Sequence, residues 1–313
     1  MKGLRIVSMG SSLPEKVVTN DDLSKIVDTS DEWISSRTGI KERRISTEGE
    51  TNYQFALEAA KKAIERAGIG VDEIGTVIVA TITPDYMFPS TACIVQKELG
   101  LPDDVMSFDI SAACSGFLYG IKVAKGLLEN LDKKYALVIG SEQLSRILDF
   151  KDRSTCVLFG DGAGAAIIEL SDEKEYCQKA WSRGDIDVLN CKGPGNNDSY
   201  LKMDGPGVFK FAVTAIKDGV DAILEEKNLT IDDIDYVVCH QANKRIIDHV
   251  RKKYNAPEEK FYVNLHKYGN TSAASIPIAL EEMMSEGLLS GGKKIIAVGF
   301  GGGLTWSSAL LEF

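Results

Sequence analysis

The chain has 313 residues, of which 44% are hydrophobic and 26% charged, and its formal net charge is −10. This length suits one large globular domain or two of ordinary size, and the acidic balance argues against nucleic acid or an anionic membrane as a partner. The sequence contains no run of about 20 apolar residues, which is the length that a membrane-spanning helix needs. The six cysteines form no CxxC pair, which favours free thiols in a reducing cytoplasm over a disulfide framework or a metal site.

The first 50 residues predict a short strand, a turn and two capped helices. Asn20 or Asp21 is expected to cap the first helix and Ser30 the second. Trp33 and Arg37 lie four residues apart, so a helix places them on one face. The pair is either an aromatic ring packed on an aliphatic guanidinium stem or a platform for a ligand.

From Tyr53 onward helices alternate with buried strands, and the second half of the chain repeats the order of the first. The helix that ends at Gly68 corresponds to FAVTAIKDGVDAILEEKNL, the strand VDEIGTVIVAT to IDDIDYVVCHQ, and KKYALVIGSE to KKIIAVGFGG. The offset of about 160 residues is too long for a solenoid repeat. The pattern predicts two similar α/β halves, 1–170 and 171–313, each with a mixed sheet. Sequential βα alternation without duplication is the alternative.

Residues 171–200, between the repeated parts, are polar and rich in Gly, Pro and Asn. This composition predicts loops and strand edges that cover a site, not a domain linker.

Cys114 stands between a strand-like run and an apolar helix, in SFDISAACSGFLYGIKVAKGLL. The unpaired N–H groups of a helix start lower the pKa of a thiol, which predicts a nucleophile, although an inert core cysteine is the alternative. The matching segment of the second half carries Thr271, Ser272 and Ala273 and no thiol. This asymmetry favours a chemical role for Cys114.

Further candidates lie at the ends of predicted elements in the second half. His240 follows the strand YVVC, at the carboxyl end where α/β sheets bind ligands, although a structural histidine is the alternative. Asn270 precedes the second run of small residues. It is either a reactive group or the N-cap of the helix that follows. The glycines from Gly299 to Gly303 let backbone N–H groups approach a ligand, as an oxyanion hole requires.

The segment after His240 predicts a basic helix whose buried stripe is Ile246, Val250 and Tyr254. Asp248 is the one acidic residue of this segment. Five cations are expected on the outer faces of the helix: Lys244, Arg245, Arg251, Lys252 and Lys253. The helix presents either a solvated face or a dock for an acidic partner or a phosphorylated ligand.

Taken in order, these motifs resemble the β-ketoacyl-acyl-carrier-protein synthase III family along the whole chain: DTSDEWISSRTGIKERR, FPSTAC, DISAACSGF, FGDGAGAA, HQANKRII, HKYGNTSAAS and FGGGLTW. The resemblance implies an α/β, thiolase-like fold of two duplicated halves in five layers, α/β/α/β/α. It implies an enzyme that transfers a short acyl group from acyl-CoA to a cysteine and condenses it, with decarboxylation, with malonyl-acyl-carrier protein. The product would be 3-oxoacyl-acyl-carrier protein, and the reaction would initiate type II fatty acid synthesis.

The resemblance also assigns roles to residues. Cys114 would carry the acyl group, the N–H groups of Cys114 and Gly302 would form the oxyanion hole, and His240 and Asn270 would stabilise the enolate. Acyl-CoA would be bound by Trp33, Arg37, Arg153, Phe209, Asn243, Phe88 and Phe300, with Phe88 reaching the acyl pocket of the second subunit. The acidic carrier protein would be bound by Gln241, Ala242, Lys244, Arg245, Lys210, Lys252 and Lys253.

The resemblance further implies a cytoplasmic homodimer without cofactor or metal, and neither nucleic acid nor membrane as partner. It leaves the length and branching of the acyl primer open, because Met87–Phe88 and the Asp187–Pro194 loop depart from familiar family versions. A relative that starts a polyketide would share Cys114, His240 and Asn270 and differ in its acceptor. A binding module without turnover is disfavoured, because that set of three residues is intact.

Overall fold

The computed structural model describes residues 2–193, 195–196 and 199–313. The strands are β1 (Gly3–Ser12), β2 (Val17–Thr19), β3 (Glu42–Arg44), β4 (Ile74–Ala80), β5 (Met106–Ile110), β6 (Tyr135–Gln143), β7 (Asp161–Ser171), β8 (Tyr176–Asp185), β9 (Leu189–Asn190), β10 (Lys202–Met203), β11 (Tyr236–Cys239), β12 (Lys294–Gly301) and β13 (Gly303–Glu312). The helices are α1 (Asn20–Ser24), α2 (Asp31–Thr38), α3 (Asn52–Ala67), α4 (Thr91–Glu98), α5 (Gly116–Leu128), α6 (Gly205–Lys227), α7 (Lys244–Lys253), α8 (Leu265–Tyr268) and α9 (Ser275–Ser285). Within the described ranges, no helix is both long and apolar enough to cross a membrane.

Two mixed sheets form the centre of the molecule, and each is built from one half of the chain. The first has the order β1-β7-β6-β4-β5, with β4 parallel to β5 and β6, and β7 antiparallel to β1 and β6. The second has the order β11-β12-β13-β8, with β11 parallel to β12, and β13 antiparallel to β12 and β8. A parallel bridge between Val237 and Phe261 stands where the second half would place a fifth strand. The duplication predicted from the sequence is therefore present in the fold.

Three apolar cores separate five layers. The central core packs α5 and α9 between the two sheets, through Phe117 and Ile121 of α5 and Ile276 and Leu280 of α9. A second core joins α3 to the outer face of the first sheet, and a third joins α6 and α7 to the outer face of the second. Burial of each such Leu, Ile or Phe side chain contributes roughly 1.5–3 kcal/mol. The α/β/α/β/α arrangement confirms the expected thiolase-like fold.

The helix ends show which local signals were decisive. Gly68 ends α3 in the left-handed conformation (φ 64°), and Ser30 caps α2 by accepting the Trp33 N–H at 3.1 Å, as predicted. The predicted cap of α1 was wrong, because Thr19 fills it: its Oγ1 accepts the Asp22 N–H at 3.2 Å. Asn20 is buried, and its amide nitrogen donates to other segments.

Of the loops and strand edges predicted over 171–200, the main strand is β8, a ten-residue strand at the edge of the second sheet. The composition of β8 is polar because much of an edge strand faces solvent: Gln178 is buried, whereas Ser182 and Arg183 are exposed. Pro194, at the end of the predicted 187–194 loop, lies outside the described residues.

Candidate active site

Two matching 3₁₀ turns meet at the centre of the molecule, one before α5 and one before α9. They span Ala113–Ser115 and Ser272–Ala274 and pack against each other. Ala113 and Ser272 share a rare left-handed φ, of 44° and 48°, so the turns are equivalent and Ala273 stands in the place of Cys114. A Cβ atom on Gly140 of β6 would overlap the Ala273 carbonyl oxygen. Small residues at this junction therefore allow the two helix starts and the strand to meet.

The three candidate reactive side chains line one cavity of about 130 Å³. The exposed fractions are 8% for Cys114, 1% for His240 and 6% for Asn270. The cavity wall includes four further residues assigned to acyl-CoA or carrier-protein contacts: Phe209, Ala242, Asn243 and Phe300. Most of the remaining wall is apolar, and polar contacts inside such a cavity are stronger than in water.

Burial raises the pKa of the Cys114 thiol to about 12. Hydrogen bonding from Ser272 opposes this rise, whereas the charge of Glu142 adds to it. The lowering that was expected from the helix start must therefore work against burial. A thiol in this position is protonated at neutral pH, so that acylation has to remove its proton.

His240 is a neutral imidazole, because burial lowers its pKa to about 3. Its Nδ1 lies 2.6 Å from Ser275 Oγ, and Ser275 Oγ also accepts the Gln241 N–H at 3.4 Å. With Ser275 donating to Nδ1, the ring carries its proton on Nε2 and can donate it to a ligand oxygen. The Phe300 ring packs edge-on against the imidazole, with centroids 5.1 Å apart, and limits its rotation.

Asn270 combines the two roles considered for it. Its Oδ1 accepts the Ser272 N–H at 2.9 Å, as an N-cap would. Its backbone bonds the facing loop, donating to Leu158 O at 2.8 Å and accepting from Gly160 N–H at 2.9 Å. Nδ2 has no hydrogen-bond partner in the part of the chain that is described, and it belongs to a side chain that lines the cavity. The amide can therefore donate to a ligand.

Gly301 lies directly against the nucleophile. A Cβ atom on Gly301 would lie 2.7 Å from the Cys114 amide nitrogen and 3.2 Å from Sγ. A Cβ atom on Gly302 would instead meet Leu189, at 3.6 Å or more. The peptide that joins Gly301 to Gly302 therefore lies beside Cys114, and the Gly302 N–H belongs to this peptide.

Trp33 lies between two guanidinium groups at the protein surface. The Cζ atom of Arg37 is 4.6 Å from the ring centroid, and that of Arg153 is 5.1 Å from it. Asn243, which lines the cavity, donates through Nδ2 to the Arg37 carbonyl at 3.2 Å. Trp33 and Arg37 share one face of the helix, as their spacing predicted, and the three side chains form a cationic and aromatic cluster linked to the cavity wall.

The basic helix α7 is placed as predicted, with corrections. Ile246 and Val250 are buried, and Tyr254 is half-buried. Lys244 pairs with Asp248 of the same helix at 2.7 Å and with Glu258, which follows the helix, at 3.0 Å. Four cations near this face are exposed: Lys210, Arg245, Lys252 and Lys253.

Gln241 was wrongly assigned to carrier-protein contacts. Its side chain is buried, with Nε2 donating to the carbonyls of Cys239 at 2.8 Å and Tyr262 at 3.2 Å. Its Oε1 accepts the N–H groups of Asn264 and Leu265. Gln241 therefore fixes the loop that follows β11, and no donor or acceptor of its amide is left for a partner. Ala242, the next residue, is half-buried and lines the cavity.

Phe88 is 86% exposed and lies beside Met87, which is 83% exposed. Tyr86 adds a second exposed ring to this loop. Such an exposed apolar tip suits a contact with another protein surface.

Sequence reasoning missed Ser275, Gly301 and Glu142. Ser275 and Gly301 stood in small-residue runs that were interpreted as packing or as a general ligand loop. Glu142 stands at the carboxyl end of β6, the same kind of position that identified His240, and this was the available signal.

The fold and the cavity together define a condensing enzyme of the thiolase-like class, in which one half contributes a thiol and the other a neutral imidazole and an amide. Two family models described as 3-oxoacyl-[acyl-carrier-protein (ACP)] synthase III match the chain, over residues 108–182 and, for the C-terminal model, 224–313. The chain belongs to this family, the β-ketoacyl-acyl-carrier-protein synthases III. It is a condensing enzyme of the acyltransferase type, and it acts in the initiation of fatty acid biosynthesis.

Similar proteins cover the chain from end to end. It is 49% identical to the beta-ketoacyl-[acyl-carrier-protein] synthase III of Clostridium botulinum (strain 657 / Type Ba4), with 99% of each chain covered. It is 47% identical to that of Clostridium tetani (strain Massachusetts / E88), with 100% of this chain and 99% of the other covered. The crystal structure of 3-oxoacyl-[acyl-carrier-protein] synthase III from Aquifex aeolicus VF5 is 46% identical, with a TM-score of 0.94 and coverage of 99% and 100%.

Proposed function

We propose that Cys114 accepts a short acyl group from acyl-CoA as a thioester. Sγ attacks the thioester carbonyl carbon, and the resulting oxyanion is held by the N–H groups of Cys114 and Gly302. Collapse of the tetrahedral intermediate breaks the bond to the CoA sulfur and releases CoA. The observation that carries this proposal is the single cavity that Cys114 shares with His240 and Asn270.

In the second step, His240 and Asn270 act on malonyl-acyl-carrier protein. Nε2–H of His240 and Nδ2–H of Asn270 donate to the thioester oxygen of the malonyl group. Loss of CO₂ leaves an enolate whose charge sits on that oxygen, where two neutral donors stabilise it. The enolate carbon then attacks the acyl-Cys114 carbonyl, which frees the thiolate and forms 3-oxoacyl-acyl-carrier protein. The neutral state of His240 suits this role, because an imidazole without charge leaves the malonyl carboxylate free to depart.

Two surfaces serve the two substrates. The cluster of Trp33, Arg37 and Arg153 binds the nucleotide end of CoA, with the adenine against the rings and cations and the pantetheine directed past Phe209 and Asn243. The carrier protein binds the exposed cations of the basic face: Lys210, Arg245, Lys252 and Lys253. An acidic partner is attracted to this face, although the chain as a whole is acidic. No cofactor takes part in the chemistry.

The assembly that we propose is a cytoplasmic homodimer of chains with halves 1–170 and 171–313. The exposed loop with Met87 and Phe88 supports the dimer, since Phe88 would be covered by the second subunit and enter its acyl pocket. Free cysteines, such as the exposed Cys93, suit a reducing compartment.

The test separates the two half-reactions. The purified protein is acylated with acetyl-CoA and other acyl-CoA primers, then mixed with malonyl-acyl-carrier protein, and the product and CO₂ are quantified. His240→Ala and Asn270→Ala should still accept the acyl group and should lose CO₂ release by about 100-fold or more. Wild-type CO₂ release from both variants would refute their assigned role. Product from malonyl-CoA in place of malonyl-acyl-carrier protein would refute the acceptor.

A further inference from the structure

A carboxyl group without exposed surface lies behind the nucleophile. Glu142 is the second-last residue of β6, and its Oε2 accepts hydrogen bonds from Thr83 Oγ1 at 2.6 Å, Ile82 N–H at 3.2 Å and Thr81 Oγ1 at 3.3 Å. Its Oε1 accepts the hydroxyl of Ser272 at 3.1 Å. Burial strengthens the affinity of this carboxyl for a proton, whereas the hydroxyl and amide donors weaken it.

Ser272 joins this carboxyl to Cys114. It lies in the turn that packs against the turn of Cys114, and its hydroxyl acts on the thiol by lowering the pKa of Cys114 against the effect of burial. Its φ of 48° is rare for serine, and Asn270 Oδ1 holds it there by accepting the Ser272 N–H at 2.9 Å. Ser272 has one hydroxyl proton, which it can donate either to Glu142 or to a Cys114 thiolate. These two hydrogen-bonding states correspond to an ionised Glu142 and an ionised Cys114.

The duplication shows how Glu142 reaches this place. The two turns are related by an offset of 159 residues, from Ala113 to Ser272. The same offset relates Glu142, near the end of β6, to Gly301, at the end of β12. Gly301 approaches Cys114 in one half, and Glu142 contacts Ser272 in the other. Glu142 thus occupies in the first half the position that Gly301 occupies in the second half. Gly301 lies against the turn of Cys114, and the carboxyl group of Glu142 contacts the matching turn at Ser272.

We propose that Glu142 accepts, through Ser272, the proton that Cys114 loses on acylation. As Sγ bonds to the acyl carbon, the thiol proton passes to Ser272 Oγ, and the serine's own proton passes to Glu142 Oε1. The departing CoA thiolate takes a proton back by the reverse transfers, so one thiol is consumed and one is released. This role of Glu142 rests on the proposed acylation of Cys114, and Glu142 acts through Ser272 without touching the substrate.

Carboxylates on neighbouring segments have partners of their own, whereas Glu142 is coupled to the nucleophile. Asp85, in the loop that follows β4, pairs with Arg146 at 2.7 Å. Asp161, on the adjacent β7, accepts the hydroxyls of Ser46 and Ser145. The pKa of Cys114 responds to the charge on Glu142, and burial raises the pKa of Glu142 to about 7. The carboxylate form that can accept a proton is therefore gained as pH rises through neutrality.

The test measures the reactivity of Cys114 without any substrate. Iodoacetamide alkylation of Cys114 is followed by mass spectrometry over a pH series on both sides of neutrality, in wild type, Glu142→Gln and Ser272→Ala. We expect the wild-type rate to rise with an inflection at about pH 7. Both variants should lose this inflection, because they lack either the carboxylate that takes the thiol proton or the hydroxyl that links it to Cys114. Glu169→Gln is the matched control, a buried carboxyl at the far end of the same sheet, and should keep the inflection.

A second readout separates the two half-reactions. Acylation of Glu142→Gln by acyl-CoA should slow about 100-fold, the scale of a lost general base, whereas its acyl-enzyme, once formed, should condense at the wild-type rate. A Glu142→Gln protein with the wild-type circular dichroism spectrum and an unchanged pH profile would overturn the relay. Should that variant not fold, an unchanged profile in Ser272→Ala overturns it equally. Failure of the wild type to accept any acyl group would overturn the proposed function, while the alkylation profile would still decide the role of Glu142.

Discussion

The contact between Gly301 and Cys114 gives a sharp test of the oxyanion site. A methyl group in Gly301→Ala would lie 2.7 Å from the Cys114 amide nitrogen, 3.0 Å from its Cβ and 3.2 Å from Sγ. Distances of 3.0 Å or less force backbone atoms apart, and such overpacking costs about 1–3 kcal/mol. The methyl would also occupy the space beside the amide that the acyl oxygen must enter. We therefore expect acylation to slow by about 100- to 1,000-fold, as for loss of one oxyanion donor.

Gly302→Ala is the matched control for this prediction. Its methyl group would meet Leu189 at 3.6–3.7 Å, an ordinary contact, and the variant keeps the N–H that is assigned to the oxyanion hole. The assay is the rate of acyl-enzyme formation from acetyl-CoA, read by intact mass in rapid-quench samples. Gly302→Ala should stay within about threefold of wild type, since a contact at this distance requires almost no movement. Equal rates for the two alanine variants would refute the geometry argued for the oxyanion hole.

Three further predictions concern substrate binding and the imidazole. Trp33→Ala removes the ring between two guanidinium groups, so KM for acyl-CoA should rise about tenfold with kcat little changed; an unchanged KM would exclude the cluster from CoA binding. Arg245→Glu should raise KM for the carrier protein more than KM for acyl-CoA. The control is Lys16→Glu, since Lys16 is an exposed lysine between β1 and β2. Equal effects of Arg245→Glu on both substrates would show that α7 does not bind the carrier protein. His240 has its pKa lowered to about 3, so single-turnover condensation should show no loss of rate between pH 8 and pH 5 from its protonation. An inflection near the ordinary imidazole value of about 6.5 that disappears in His240→Ala would contradict its burial as a neutral ring.

The features that the sequence predicted well are those set by periodic or repeated patterns. The alternation of helices and apolar strands, and its recurrence after about 160 residues, is sufficient for two sheets with helices between and outside them. Cys114 and His240 stood out because each follows a strand at the end where ligands bind. The cap at Thr19 was missed because three adjacent residues, Thr19, Asn20 and Asp21, all have capping side chains, and burial of Asn20 decides between them.

The features that the sequence could not predict depend on contacts between distant segments. Gln241 and Arg245 are four residues apart, yet one amide is consumed by internal hydrogen bonds and the other side chain is exposed. Glu142 reaches the nucleophile through Ser272, which is 130 residues away along the chain.

Covalent capture of the acyl group on Cys114 tests the central claim most directly. The protein is incubated with acetyl-CoA, the intact mass is measured, and the modified peptide is identified after digestion, with Cys114→Ala treated in the same way. We expect wild type to gain the mass of one acetyl group on Cys114 and Cys114→Ala to gain none. An acetyl group of equal yield on Cys114→Ala, or none on the folded wild type with any acyl-CoA, would contradict the assignment of Cys114 as the nucleophile.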